Sequence, residues 1–330
     1  MSKEYTGIDI GESSLKLAVC DGDTIRNAAA EPLPEGLMAD GRPVSFDAMA
    51  DFIKAAVRRM GGAAKDVAFV MPVSDSLVRR ISIPAMTAKE LELNLPYEFR
   101  DYIAQGKDRY AYDYAVLGTH VGADGVPESM DLLIAASMKD TIADYTEMFR
   151  RAGMRLRIAL PVQAAFQNLV GGGNAKALAN CCILDFAHAS TKLHFFAGGA
   201  YDATRTIEIG GMDIDRAIAD VFDVDEHVAN GYKLANYENV LTHPSARAVY
   251  ESIAVEINRA LNFYGFNNAD VSIEAAYCCG GGTLVEPLVS TVAAQVSVEL
   301  RPIAGIMPPV QGVDVRGLCS AAVGATMKAR

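Results

Sequence analysis

The spacing of apolar residues predicts that strands and helices alternate along the first half of the chain. A hairpin comes first, at residues 7–16, and a stripe of apolar residues over 46–60 then predicts a helix. Residues 77–158 follow with the order β-α-β-β-α-β, which predicts a small unit inserted into the first lobe. Inside that unit, Pro96 predicts a kink or a restart of the helix that contains it.

The second half of the chain opens with the same order of elements as the first. It begins with a buried strand, a turn of small residues and a second strand, as residues 7–16 do. The predicted elements are strands at 181–186, 191–196, 203–209 and 274–279, and helices within 212–236, 245–264, 284–296 and 318–328. The sequence therefore predicts an internal repeat.

Each of the two predicted hairpins has an aspartate at the end of its first strand and small or hydroxylated residues in or next to its turn. The candidate ligand-binding residues are Asp9, Gly11, Glu12, Ser13, Ser14 and Lys16 of the first hairpin, and Asp185, Ser190 and Thr191 of the second. Backbone N–H groups and hydroxyls in such turns can bind a phosphate, while a carboxylate binds a metal ion or its water. Two facing hairpins would hold one polyphosphate and place Asp9 and Asp185 around a divalent cation. An ordinary strand–turn–strand has the same pattern.

Two runs of glycine stand at points where a predicted helix follows. Gly280, Gly281, Gly282 and Thr283 follow a buried strand, and Gly210 and Gly211 precede another helix. Without a Cβ, the backbone there lets a base, a ribose or a phosphate approach closely. Each run alone fits a plain turn, but the order of the four motifs along the chain favours a nucleotide-binding cleft.

Composition narrows the class of protein. The net charge of −11 argues against a nucleic-acid partner, because neutralising phosphates requires clusters of Lys and Arg. The sequence has neither a signal-peptide pattern nor an apolar run near the roughly 20 residues of a membrane span, so we expect a soluble, cytoplasmic protein. Its six cysteines lie in apolar surroundings, and we expect them to be reduced core residues.

The order of these motifs resembles the actin-like ATPase superfamily, which includes actin, sugar kinases, DnaK-type chaperones and the division protein FtsA. The resemblance implies an α/β class, a duplicated actin-like (ribonuclease H-like) fold of two lobes, with ATP and Mg between them. It implies a first lobe at 1–170 with an inserted subdomain at about 77–158. The second lobe would span 171–330 with a helical part at about 212–268, and the helix at 318–328 would pack back as part of the hinge.

A narrower resemblance is carried by Ile83–Leu91, Tyr97–Ile103 and Asp113–Gly118, and by Ile209–Asp215 and Glu256–Tyr264. These segments resemble the PilM family of actin-like proteins of type IV pilus assembly, over nearly the whole chain. The inserted subdomain is of the FtsA/PilM type. The resemblance implies a cytoplasmic protein held at the inner face of the membrane by a PilN-like membrane protein, whose N-terminal cytoplasmic segment it binds. It also implies contact with the pilus assembly motor complex and leaves open a homo-oligomer.

The same resemblance assigns further site residues. Gln163 takes the position of the residue that orients water in actin-like ATPases, and Lys233 lies near the adenosine. The second hairpin departs from the family, because Ala187–Ala189 stands where a glycine normally follows the aspartate. On this resemblance, Asp9, Asp185 and Gln163 would be sufficient for slow metal-assisted hydrolysis. The alternative is a structural nucleotide that hardly turns over, so we expect at most a weak ATPase.

The partner surface is predicted in the inserted subdomain. An apolar groove that binds a peptide would be lined by Ile83, Leu95, Tyr97, Phe99, Tyr102 and Tyr110. The alternative is that these residues form the core of the subdomain. The tyrosines are the better interface candidates, because a tyrosine tolerates both a buried and a solvated end.

Two other functions are compatible with the fold that the resemblance implies. One is an FtsA-like, polymer-forming division protein, against which the lack of a C-terminal amphipathic segment speaks. The other is an actin-fold kinase of small molecules, which requires a catalytic base in the first lobe. Near 67–80 the only acid that could serve is Asp75, which we interpret as a turn residue.

Overall fold

The computed structural model describes residues 4–21, 24–172, 179–310, 315 and 317–327. The chain divides into two compact units, the first made of residues 1–173 and 307–330 and the second of residues 174–306. The C-terminal segment therefore belongs to the first unit. The sequence assigned residues 171–330 to a second lobe but had the helix at 318–328 pack back as part of the hinge. The subdivision of each lobe into actin-like subdomains stays a prediction.

Fifteen strands and nine helices are assigned within the described residues. The strands are β1 (Glu4–Ile10), β2 (Ser14–Asp21), β3 (Thr24–Pro32), β4 (Met38–Ala39), β5 (Arg42–Pro43), β6 (Asp66–Met71), β7 (Leu77–Pro84), β8 (Tyr110–Val121), β9 (Pro127–Met138), β10 (Arg155–Pro161), β11 (Cys181–Phe186), β12 (Thr191–Ala197), β13 (Ala200–Ile207), β14 (Ala275–Cys279) and β15 (Glu299–Pro302). The helices are α1 (Phe46–Arg59), α2 (Ala88–Glu98), α3 (Lys139–Arg151), α4 (Val162–Gly172), α5 (Gly211–Phe222), α6 (Glu226–Ala235), α7 (Pro244–Asn267), α8 (Glu286–Gln295) and α9 (Ser320–Thr326).

The two units contain five-stranded sheets of the same topology. The first has the order β10-β6-β1-β2-β3 and the second the order β15-β14-β11-β12-β13. In each sheet the central strand pairs in parallel with one neighbour and forms an antiparallel hairpin with the next strand in sequence. The predicted internal repeat is confirmed. Strand β15 was not predicted, because its four residues include two charges and a proline and give no apolar run.

The inserted part of the first unit is smaller than predicted. Its separate sheet has the order β7-β9-β8 and ends at Met138. Strand β10 pairs in parallel with β6 of the first sheet, and α3 contributes Tyr145 and Phe149 to the core of that sheet. The predicted end of the insert near residue 158 is therefore wrong. The last strand of the β-α-β-β-α-β order pairs within the first sheet, and the last helix packs against that sheet.

Helix α2 begins with the predicted capping box. The Thr87 hydroxyl accepts from the N–H of Glu90, and the Glu90 carboxylate accepts from the N–H of Thr87. The helix then runs without a restart through Pro96 to Glu98, so this part of the expectation is wrong. Leu95, buried directly before the proline, anchors this last turn in the core, and only one helical hydrogen bond is lost there.

Helix α9 lies directly against the first sheet. A Cβ at Gly7 in β1 would overlap the carbonyl oxygen of Ala322 in α9, so only glycine permits this approach. On the other side, Asn168 of α4 donates its side-chain N–H groups to the carbonyls of Gly324 and Met327, both at 3.0 Å. The C-terminal helix is thereby held between β1 and α4.

All six cysteines are buried thiols, and the prediction that they serve as core residues is confirmed. Burial raises the pKa of Cys181 and Cys278 to about 12 and that of Cys20 to about 11. A thiol reacts through its thiolate, and these pKa values keep the thiolate scarce at neutral pH. The cysteines therefore pack rather than react.

His194 is buried in the middle of β12. Its Nδ1 lies 2.8 Å from the hydroxyl of Thr204 on β13. Burial lowers the pKa of His194 to about 3, and the positive charge of Lys192 acts in the same direction. The imidazole therefore stays neutral in the folded protein throughout the physiological range.

This buried imidazole makes stability depend on pH. Below about pH 6.5 the unfolded chain takes up a proton at His194 that the folded chain does not, so stability falls as the pH drops towards 3. We expect His194→Gln to reduce the slope of the free energy of unfolding against pH, measured by urea titration between about pH 6 and 4, by about 1.4 kcal/mol per pH unit. His227→Gln, at an exposed position of α6, serves as the control and keeps the wild-type slope. Equal slopes for wild type and His194→Gln would contradict this assignment.

Candidate nucleotide loops and partner surface

The turn between β1 and β2 holds the predicted residues of the first phosphate loop. The N–H of Gly11 donates to the carbonyl of Ser14 at 3.0 Å and closes the turn, which leaves Glu12 and Ser13 exposed at its tip. Asp9 and Lys16 face each other in the hairpin register. The Lys16 ammonium lies 3.3 Å from the Asp9 carboxylate, and both side chains remain partly exposed. The predicted residues of this loop thus lie together.

The first loop fits a phosphate with its magnesium ion. It offers an accessible carboxylate, a cation and a hydroxylated turn, and Mg²⁺ in nucleotide sites is held by one or two carboxylates together with phosphates and waters. Within the described part of the chain, no group of three or more His, Cys, Asp or Glu side chains is arranged to hold a metal ion by itself. Any magnesium here would therefore depend on phosphates and waters for most of its ligands.

The turn between β11 and β12 repeats the first loop closely. The N–H of Ala187 donates to the carbonyl of Ser190 at 3.1 Å, the same closing bond that Gly11 makes. Asp185 faces Lys192 in register, as Asp9 faces Lys16. Ala187 therefore takes the place of Gly11, and the missing glycine of the second hairpin does not change how its turn closes.

The second loop is fixed to the start of α5. The carbonyls of Ala187 and His188 accept from the N–H groups of Gly211 at 3.1 Å and Met212 at 2.8 Å. A Cβ at Gly210 would lie 2.5 Å from the His188 carbonyl and 2.6 Å from the Ser190 N–H. Gly210 is thus required by the close contact between loop and helix.

Lys233 is buried in an ion pair. Its ammonium lies 2.7 and 2.8 Å from the two carboxylate oxygens of Asp215 and 3.2 Å from the carbonyl of Gly211. The side chains of Lys233 and Asp215 are only 9% and 3% exposed, and Asn230 donates to the same carboxylate at 3.1 Å. These contacts join α6 to α5, and the contact of Lys233 with a nucleotide stays a prediction. Asp215, which completes the pair, was missed because an acid within a helix gives no signal of its partner.

The glycine loop after β14 approaches the end of β11. Gly280 has a φ of +87°, and a Cβ there would overlap the Asp185 carboxylate. Thr283 donates its hydroxyl back to the carbonyl of Gly280 at 2.7 Å. Gly210, Gly211 and Gly280 therefore contact the second loop or the end of β11, whereas Lys233 is linked to this region only through the carbonyl of Gly211. Asp9 and Asp185 belong to different units, and their shared cation stays a prediction.

Gln163 lines a cavity of about 310 Å³ in the first unit. The cavity lies where α4 begins, beside the end of β6 and the start of β7. Its other lining residues are Met71, Val73, Ser76, Leu77, Val78 and Val162. The role of Gln163 in orienting water stays a prediction. The apolar lining residues were missed, because they lie on β6, β7, the turn between them and α4, and no local pattern in the sequence shows that these segments meet.

The predicted partner residues divide into core and surface. Leu95, Phe99 and Tyr110 are buried between α2 and the inserted sheet, and Ile83 packs against them. These four form the core of the insert, as the alternative interpretation had it, and in this structure they are not available to a partner.

Tyr97 and Tyr102 remain exposed, with 57% and 55% of their surface accessible. Lys107 lies 4.3 Å from the ring centroid of Tyr97, and Arg79 lies 4.2 Å from that of Tyr102. Of the six predicted partner residues, these two are the ones whose rings a partner can reach.

The other face of the inserted sheet is accessible over part of its area, whereas Leu133, which lies on it opposite Arg80, is only 3% exposed. Side chains alternate along a strand, so the residues between those that pack under α2 lie on the opposite side. We define the open face as the accessible or half-buried residues Val78, Arg80, Ser82, Asp113, Asp131 and Ala135. Val78 belongs both to this face and to the cavity.

Comparison with solved structures identifies the class of fold. The chain is similar to the structure described as the PilM-PilN type IV pilus biogenesis complex, with 24% identity, a TM-score of 0.80, and coverage of 99% of this chain and 98% of that chain. It is similar to the ethanolamine utilization protein EutJ from Carboxydothermus hydrogenoformans, with 13% identity, a TM-score of 0.61, and coverage of 99% and 90%. A ROK family glucokinase from Streptomyces griseus, solved with glucose and AMPPNP, gives 14% identity, a TM-score of 0.51, and coverage of 98% of each chain. The protein has the actin-like fold, as predicted.

The family follows from the sequence itself. Residues 7–316 match the model of the family described as type IV pilus assembly protein PilM. The chain belongs to this family, and the predicted resemblance is confirmed. No curated protein matches the sequence. Among the described residues, no helix is both long enough and apolar enough to span a membrane.

The contact between Gly210 and the second loop can be tested by adding one methyl group. We expect Gly210→Ala to lower the free energy of unfolding by about 1–3 kcal/mol, because backbone atoms of the loop must move. Gly211→Ala is the matched control, since its Cβ would meet its nearest neighbours at 3.7 Å, an ordinary contact. Urea denaturation of both variants measures the difference, and equal stabilities would contradict the close packing.

Proposed function

We propose that this protein is a nucleotide-binding scaffold of type IV pilus assembly. In this proposal it binds ATP with Mg between its lobes and the N-terminal cytoplasmic segment of a PilN-like inner-membrane protein on its inserted sheet. It is cytoplasmic and is held at the membrane through that partner, where it contacts the pilus assembly motor complex. The observation that carries the proposal is the cavity beside the open face, in a chain of the PilM family.

Nucleotide binding is supported by the repeated hairpin. Both loops are closed by the same hydrogen bond and have an Asp–Lys pair in the same register. Each unit supplies one such loop, and we propose that both contact one polyphosphate. The glucokinase of similar fold was solved with AMPPNP, an ATP analogue. We propose that hydrolysis is slow or absent.

The open face is the better peptide site. The residues under α2 are committed to the core, whereas the open face ends at a cavity with five apolar lining residues and two polar ones. An extended peptide can place an apolar side chain in such a cavity while its polar groups remain at the rim. The structure described as the PilM-PilN complex is of a protein similar over nearly its whole length.

The candidate catalytic base of the kinase alternative, Asp75, is buried in the structure. The Asp75 side chain is 2% exposed and accepts a hydrogen bond from the hydroxyl of Tyr145 at 2.7 Å. A catalytic base must lie within hydrogen-bond reach of the substrate hydroxyl, and a side chain buried to this extent is out of that reach. We therefore do not propose a kinase.

The nucleotide site can be tested through Lys16. We expect Lys16→Met to weaken the binding of Mg-AMPPNP, measured by calorimetry, by about tenfold or more, because a charge-assisted contact to phosphate is lost. Lys54→Met, at an exposed position of α1, keeps the wild-type affinity. Phosphate release from ATP should be at most slow in all three proteins. Wild-type protein that binds no nucleotide, or unchanged affinity in Lys16→Met, would contradict this part of the proposal.

The peptide site can be tested with one charge on either side of the inserted sheet. We expect Val78→Asp to raise the Kd of a PilN-type N-terminal peptide by about tenfold or more, since a carboxylate in an apolar cavity loses its water. Leu93→Asp, at a position on α2 that is 71% exposed, should leave the Kd unchanged. If instead Tyr102→Ala abolishes binding and Val78→Asp does not, the peptide lies on the side of the predicted tyrosines.

A further inference from the structure

Asp75 occupies the turn where the chain leaves the first sheet for the inserted sheet, between β6 and β7. Tyr145 on α3 donates its hydroxyl to Oδ2 of Asp75 at 2.7 Å, and Arg42 of β5 forms an ion pair with Oδ1. A buried carboxylate is tolerated only where donors replace its water. These two partners therefore hold the turn against the first sheet.

The same turn is tied to the inserted sheet. Ser137 of β9 donates its hydroxyl to the carbonyl of Asp75 at 2.7 Å. The N–H of Asp75 donates to the carbonyl of Pro72 at 3.0 Å and tightens the turn. Contacts from α3, from the β4–β5 hairpin and from β9 thus meet at one residue.

One wall of the cavity is made of this turn. Val73, Ser76, Leu77 and Val78 line the cavity, while the Asp75 side chain is directed to Tyr145 and Arg42. The turn therefore has one side towards the cavity, and its other side is fixed by the hydrogen bond from Tyr145 and the ion pair with Arg42. The positions of the lining residues 73 and 76–78 therefore depend on the contacts that Asp75 makes with Tyr145 and Arg42.

We propose that Asp75 is a positioning residue for the partner peptide. Through Tyr145 and Arg42 it holds residues 73–78 in the position that forms the cavity, without touching the peptide itself. This inference rests on the proposed function, because it assumes that the cavity binds the peptide. Asp75 would thus contribute to the peptide site although it is not one of the residues that line the cavity.

The test uses the full chain and removes one hydroxyl. Tyr145→Phe deletes the donor to Asp75 and keeps the ring that packs against Phe46 and Phe69. Tyr112→Phe is the matched control, since it deletes a hydroxyl that donates to the Lys107 carbonyl, away from the turn. Hydrogen exchange of the amides of residues 73–78 and the Kd of a PilN-type N-terminal peptide are measured for each variant.

We expect Tyr145→Phe to speed exchange at 73–78 and to raise the peptide Kd, each by about tenfold or more, as the loss of a hydrogen bond to a charged group implies. Tyr112→Phe should change neither quantity. Asp75→Asn keeps an acceptor for Tyr145 and loses the charge that pairs with Arg42, so its effect should have the same direction. A thermal melt of each variant checks global stability.

The proposal is overturned if Tyr145→Phe leaves both quantities at wild-type values. It is also overturned if exchange at 73–78 rises only as much as exchange across the whole first unit, because the role of Asp75 is then general stability. If the wild-type protein binds no peptide, the proposed function fails, and exchange at 73–78 still decides whether Asp75 holds the wall.

Discussion

The contact between β1 and α9 is the constraint on which the first unit depends. The backbones approach so closely that residue 7 must be glycine, and the helix is held on its other side by Asn168 of α4. Strand β1 also carries Asp9 and leads into the turn that we propose binds phosphate. The same contact therefore packs the C-terminal helix against the first sheet and fixes the position of the strand that precedes the β1–β2 turn.

The two units close equivalent turns with different residues. In each, a hairpin beside a parallel pair of strands ends in a turn closed by one backbone hydrogen bond. The first turn uses Gly11 and the second Ala187, which shows that the closing bond, rather than the glycine, defines the loop. The second loop gains a further support from the start of α5, where the helix N–H groups bond to its carbonyls.

In the inserted sheet, the alternation of side chains along a strand separates a core face from the opposite face. Ile81 and Ile83 point under α2 and form a core, while Val78 and Arg80 lie on the other side of the same strand. A search of the sequence for apolar residues selects the core face, because that face carries the strongest pattern. The opposite face has the weaker pattern, and the cavity beside it also includes residues of β6 and α4.

The sequence by itself determined the repeat, the family, the capping box of α2 and the two hairpins with Asp9 and Asp185, because each depends on local spacing. It did not determine that β10 and α3 belong to the first sheet, that Lys233 pairs with Asp215, or that Asp75 binds Tyr145 from 70 residues away. Those contacts join residues far apart in the chain, and local patterns carry no information about which distant partner a strand or a buried charge will find. The β1–β2 turn could thus be located from the sequence, whereas the cavity beside the open face exists only in the folded chain.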